Sequence, residues 1–210
     1  MSKIVLWFVK ITGWIPHLFY FKKKIHYVDK KKQNRKIKGS ALIISNHKSI
    51  YDVALYMFVF FTRDIYMLVG EVMYKKNKLF SWFLNRIGGI KVERESYDFS
   101  FLTTTVNLLN KGKVVEIYPE SRLPKKDENS MLPFKPSFIY IALESGAPII
   151  PVYTDGNYKN KKGCNVVIGE KIYVRDLYDE SISQEENIEK LCTYVQDYIK
   201  GLEKYIDEEK

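Results

Sequence analysis

The residues best placed to do chemistry sit in SNHKSIYD, Ser45 to Asp52, between two apolar runs, ALII before it and VALYMFVFF after it. On an ideal helix, positions five apart are separated by about 140° around the axis, so His47 and Asp52 cannot share a helical face. They meet if His47 lies in a loop and Asp52 in the first turn of the helix that follows. An aspartate so placed accepts a hydrogen bond from one ring nitrogen, fixes the tautomer and leaves the other nitrogen as a base. The same residues also have a purely structural explanation. Ser49 and Asp52 fit a capping box with aspartate in the usual glutamate position, which leaves His47 as a polar loop residue.

Two further segments bring charge to the end of an apolar run. In IYPESR, Pro119 stops the run and Glu120, Ser121 and Arg122 follow it. In GGIKVERES, strand alternation puts Ile90, Val92 and Arg94 on one face, with Arg94 at the end. Two arginines at one rim can hold a phosphate through charge-assisted, bidentate contacts. The plainer account of each is a surface ion pair, Arg94 with Glu93 or Glu95 and Arg122 with Glu120.

The elements that must position these residues alternate along the chain. ALIIS, DIYMLVG, IKVER, KVVEIYP, APIIPVYT and NVVIGEKIYV read as strands. Helical patterns lie between them: about Tyr51 to Phe61, LFSWFLNRIG, FSFLTTTVNLLN and PSFIYIALESG. The tail opens with Ser183 and Glu186 in capping-box spacing, and Ile188, Leu191, Val195, Ile199 and Leu202 form one apolar helical stripe. Alternation of this kind predicts an α/β fold, a largely parallel sheet flanked by helices on both faces, with the site at the C-terminal ends of the strands.

At 210 residues with 46% hydrophobic composition, the chain suits one ample core with appendages. Cys164 and Cys192 follow no metal-ligand spacing, which argues against a zinc site or a disulfide framework and makes a reducing, cytoplasmic setting the default. The net charge of +9 is concentrated: residues 1–40 hold eleven Lys or Arg against one acid, Asp29, while the other 170 carry 23 basic and 24 acidic residues. The basic stretch follows KIVLWFVKITGWIPHLFYF, too rich in bulky aromatics for a signal peptide and interrupted by Lys10, Gly13 and Pro16. We therefore expect residues 1–38 to form an N-terminal amphipathic element, a helix or broken helix pair lying on an anionic membrane surface. Trp7, Trp14, Phe19 and Tyr20 would sit at the headgroup boundary, with 39–210 as the α/β domain. A helix packed on its own core, beside a solvated basic loop, is the alternative. No nucleic-acid-binding motif accompanies the lysines.

Four of these segments, in order, carry a resemblance. NHKSIYD resembles the NHxSxxD (HX4D) block of the glycerolipid acyltransferases, lysophosphatidate acyltransferase type. GGIKVER is similar to their second block, IYPESR to Phe-Pro-Glu-Gly-Thr-Arg, and GAPIIPVYT to the fourth block; the likeness covers roughly residues 39–155. It implies a glycerol-3-phosphate acyltransferase-like fold and acyl transfer from acyl-CoA or acyl carrier protein to a hydroxyl of 1-acyl-glycerol 3-phosphate, giving phosphatidic acid. No metal or other cofactor is implied beyond the thioester co-substrate. His47 would be the general base, Asp52 its orienting partner and Ser49 a helix cap. Arg94 and Arg122 would bind the acceptor phosphate, Glu120 would hold the third-block loop carrying Ser121, and Pro151 with its neighbours would shape the site near the acyl chain. A peripheral or monotopic location on the cytoplasmic membrane face follows from the same resemblance.

The third block departs from the pattern. It is one residue short, with Ser121 where glycine is usual and Arg122 one position early. Lys91 and the FKPS stretch also differ from the family pattern. Two other readings therefore stay open: an acyltransferase for another lyso-lipid acceptor, and a catalytically silent membrane-binding protein on the same fold.

Overall fold

The computed structural model describes residues 1–93, 99–125, 127–128, 131–158 and 163–206. The chain opens with a 19-residue helix, α1 (Lys3–Phe21), then strand β1 (Lys24–Tyr27). β2 (Ala41–Ser45), α2 (Asp52–Val59), β3 (Ile65–Gly70), the single turn α3 (Glu71–Tyr74), α4 (Lys78–Ile87) and β4 (Gly89–Val92) follow. The second half adds α5 (Ser100–Asn110), β5 (Val114–Ile117), α6 (Ser137–Ser145), β6 (Ile149–Thr154), β7 (Asn165–Ile168) and α7 (Gln184–Gly201).

The seven strands make one sheet in the order β1-β7-β6-β2-β5-β3-β4. Every pairing is parallel except β6 with β7. The central strands β2, β5 and β6 are buried along their whole length, as strands covered on both faces must be, and their sequences are accordingly continuous apolar runs broken by few polar residues. Alternation sorts their side chains. Leu42, Ile44, Val115 and Ile117 face a core completed by α5, α6 and α7; Ala41, Ile43, Val114, Ile150 and Val152 face one completed by α2 and the end of α1. The capping box at Ser183 and Glu186 is present in both halves, and Ile188, Leu191, Val195, Ile199 and Leu202 are all buried.

Two features mark the N-terminal segment. First, β1 lies within the basic stretch and pairs with β7, so Lys24–Tyr27 is built into the edge of the sheet. Second, α1 is a single helix that runs through Gly13 and Pro16. Proline removes one backbone hydrogen bond from a helix interior, but packing holds this helix together. Leu6, Lys10, His17 and Phe21 are buried against the body, and Gly13 lies so close to the Phe58 ring that an added Cβ would sit 3.0 Å from it.

Lys10 does not interrupt an apolar face. It points inward, donating from Nζ to the Phe61 and Arg63 carbonyls, each at 2.9 Å, with Asp64 at 3.6 Å. The outward face is mostly apolar: Ile4, Trp7, Phe8, Ile11, Trp14, Ile15, Leu18 and Phe19 are exposed there and recur every three or four residues. Trp7 and Trp14 are half exposed beside Phe61, Phe19 is 73% exposed, and Tyr20 turns in towards Tyr51.

Candidate active site

β2 ends at Ser45, and the loop Asn46–Tyr51 carries the chain to α2 at the C-terminal edge of the parallel strands. Asn46 ties this loop down: its side chain exchanges two 2.9 Å hydrogen bonds with the backbone of Thr154, the last residue of β6. Ser45 Oγ and the buried Tyr56 hydroxyl share a bond of 2.5 Å, joining the strand end to α2.

His47 and Asp52 come together as the spacing requires. Nδ1 of His47 lies 2.8 Å from Oδ2 of Asp52, in a pair whose histidine is 17% exposed and whose aspartate is fully buried. The same oxygen accepts the backbone N–H groups of Lys48 at 2.8 Å and Ser49 at 3.0 Å, and the other oxygen accepts the Tyr158 hydroxyl. The bond to Nδ1 selects the tautomer that carries its hydrogen there, leaving Nε2 as the acceptor.

Ser49 is not the helix cap. α2 starts at Asp52, Tyr51 precedes it without a side-chain cap bond, and Ser49 Oγ accepts the Tyr51 N–H at 3.2 Å. Only half of a capping box survives, because Asp52 turns its carboxylate back over the loop to the imidazole and the amides.

β5 and the turn that follows it lie beside this loop. Glu116 lies on β5, Tyr118 just beyond its end, and Glu120 in the turn that follows. The Tyr118 ring stacks on His47 with centroids 4.3 Å apart, and its hydroxyl donates to Glu116 at 2.6 Å. Burial pushes the Glu116 carboxyl well above the usual range, and the Tyr118 hydroxyl likewise. Burial, followed by the Asp52 charge, raises Tyr158 and keeps it a donor. Glu120 bridges two loops: Oε1 accepts His47 N–H at 2.7 Å and Oε2 accepts Leu132 N–H at 2.8 Å. Burial raises its carboxyl, partly offset by those same amides. Ser121 adopts φ +64°, the left-handed conformation in which glycine is at ease.

The remaining predicted residues are placed differently. Arg122 forms a bidentate pair with Glu128, both contacts at 2.6 Å, instead of pairing with Glu120. The Arg122 hydrogen bonds draw the Glu128 carboxyl down to about 2. Pro151 is buried within β6, opposite Ile44 and against Gly169, where it supports the sheet beneath the site. Arg94 lies outside the described residues.

Tyr118, Glu116 and Tyr158 were absent from the residues singled out by sequence. Spacing from Glu120 could have found the first two; Tyr158, 106 residues from Asp52, carries no local signal. Among the described residues no group of three or more His, Cys, Asp or Glu is arranged to hold a metal ion. Both cysteines are buried and free, and burial pushes the Cys164 thiol up to about 12.

The chain is similar to several known proteins. A 1-acyl-sn-glycerol-3-phosphate acyltransferase of Bacillus subtilis is 25% identical over 182 residues, covering 84% of this chain and 88% of the relative. A human 1-acyl-sn-glycerol-3-phosphate acyltransferase beta is 24% identical over 145 residues, 69% of this chain but 51% of its own length. Among solved structures, the 1-acyl-sn-glycerophosphate (LPA) acyltransferase PlsC of Thermotoga maritima superposes with a TM-score of 0.66 at 19% identity, covering 96% of this chain and 80% of its own, which shows a shared fold. Residues 24–155, well over half of the chain and including the whole His47–Asp52 loop, match the acyltransferase family model. The chain therefore belongs to the acyltransferase family, enzymes that move acyl groups.

Proposed function

We propose that the protein transfers a fatty acyl group from an acyl-CoA or acyl carrier protein thioester to the free hydroxyl of 1-acyl-glycerol 3-phosphate, giving phosphatidic acid. The observation that carries this reading is the 2.8 Å contact between His47 Nδ1 and the buried Asp52 carboxylate, which leaves Nε2 as the nitrogen able to accept a proton. As the acceptor oxygen attacks the thioester carbonyl, its proton passes to Nε2, and Asp52 stabilises the imidazolium across the ring. When the carbon–sulfur bond breaks, the thiolate leaves with that proton. Hydroxyl and thioester become ester and thiol, and no covalent acyl-enzyme intervenes.

Glu120 and Tyr118 act through His47, one holding its backbone and the other its ring face. The outward apolar face of α1, beside the basic stretch, supports a peripheral position on the cytoplasmic face of a membrane, where substrate and product both reside. Arg122 would bind the acceptor phosphate after exchanging Glu128 for it, with Arg94 as its partner. That existing pair, together with the shortened block, favours a second reading of the acceptor: another lyso-lipid with a different headgroup.

The test is thiol release from a long-chain acyl-CoA in the presence of lysophosphatidate, with the protein in detergent. His47→Ala should lower the rate by roughly 100- to 10,000-fold, the usual worth of a general base. Release by wild type with other lyso-lipids but not with this one would move the assignment to the second reading. Undiminished release by His47→Ala would remove the proposed base.

A further inference from the structure

Outside the His47 loop, the described residues line an open, shallow cavity of about 400 Å³ where the end of α1 meets β1 and the loop after it. Its size falls in the range of small-ligand pockets, about 300–1,000 Å³. Lys22, Lys23, Lys30 and Arg35 all line it, and no acidic residue does. Among the described residues none of the four takes part in an ion pair. Lys23 Nζ lies 3.3 Å from the His17 ring, Arg35 Nε donates to the Val59 carbonyl at 3.0 Å, and Lys30 lies over Tyr27.

Some cations elsewhere are matched by a carboxylate: Lys32 binds Glu170, Lys75 binds Glu71 and Arg122 binds Glu128. Burial, then the charge of Arg35, hold Lys23 down to about 8, the mark of cations gathered without a counter-charge. Leu18 belongs both to the cavity wall and to the apolar outer face of α1, so a group held by the lysines would have an apolar surface beside it.

We infer that this cavity is a binding site for the phosphate of an anionic phospholipid headgroup, separate from the His47 site and able to seat α1 on the membrane. Four cations supply charge-assisted donors to phosphate oxygens, and Leu18 and Ile25 meet the apolar part of the lipid. The inference rests on the lipid-surface part of the function proposed above and is independent of acyl transfer.

The experiment measures binding of the full chain to vesicles of phosphatidylcholine alone and of phosphatidylcholine doped with phosphatidic acid. It also includes titration with a soluble short-chain phosphatidic acid and with inorganic phosphate. Lys23→Gln with Lys30→Gln, which leaves the Arg35–Val59 bond intact, should weaken binding to the doped vesicles and to the soluble lipid by about tenfold or more. Lys22→Gln with Lys30→Gln, which changes two exposed side chains, guards against misfolding and should act in the same direction. A charge-matched control in the same stretch but outside the cavity, Lys31→Gln with Lys36→Gln, should stay within about twofold of wild type. Equal losses in cavity and control variants would mean a diffuse field and overturn the site. Inorganic phosphate binding as tightly as the soluble lipid would overturn the headgroup assignment. His47→Ala should bind like wild type, so lost catalysis with retained binding separates this inference from the proposed reaction.

Discussion

Two helices of nearly equal length, α1 with 19 residues and α7 with 18, solve opposite problems. α7 buries Ile188, Leu191, Val195 and Ile199 and shows Glu185, Glu189, Lys190, Asp197 and Lys200 to the outside. α1 buries Lys10 and His17 and shows Ile4, Phe8, Ile11, Ile15 and Phe19. Apolar residues face inward where the medium is water, so α7 follows the rule, whereas α1 buries Leu6 and Phe21 but departs from it on its outer face. The comparison teaches that the inner face of α1 is held by the Lys10 contacts together with the packing of Leu6, His17 and Phe21, and that its outer face has the composition of a surface meeting lipid.

The largest effect should come from the helix that follows the rule. Ile199→Ala removes a fully buried side chain and should cost about 3 kcal/mol in chemical denaturation. On α1, Lys10→Ala leaves the Phe61 and Arg63 carbonyls without their donor and should cost about 2 kcal/mol, a loss that would be absent if the helix were held by its apolar residues alone. Phe8→Gln combined with Ile15→Gln should change stability in detergent by less than about 0.5 kcal/mol, as surface positions do, while sharply reducing sedimentation with anionic vesicles. Unchanged sedimentation would erase the contrast between the helices.

The smallest effect is a pH slope. Burial lowers the Lys10 pKa in the folded chain below its usual 10.5, partly offset by Asp64. Below 10.5 the unfolded chain therefore holds this proton more tightly than the folded one. The contribution of Lys10 is fully present above 10.5 and is lost as pH falls through the lowered value. Lys10→Met should remove this component, so the stability difference between wild type and variant should shift in favour of wild type as pH rises through that window.

How legible each part was in sequence depended on distance along the chain. The His47–Asp52 contact needs only one loop and one helix start, so spacing and a preceding apolar run sufficed. Ser183 with Glu186 was legible because nothing competes for the glutamate, whereas Ser49 with Asp52 misled because the imidazole and loop amides claim the carboxylate. The strands β2, β5 and β6 were plain as buried apolar runs. β1 was hidden because an edge strand tolerates lysine and histidine, and KIHY reads as part of a basic loop. The pairing of Arg122 with Glu128 is made within a polar loop whose geometry no periodicity encodes, and Tyr158 reaches Asp52 only through the sheet.

The two oxygens of Asp52 divide their contacts unequally, three donors on Oδ2 and one on Oδ1. Asparagine with its amide oxygen in the Oδ2 position would keep all three, and Tyr158, whose hydroxyl can donate or accept, would turn acceptor for the amide NH₂. A single-atom exchange thus deletes the negative charge while leaving the architecture of the loop standing. Alanine deletes both, so the gap between the two variants measures the scaffold apart from the charge.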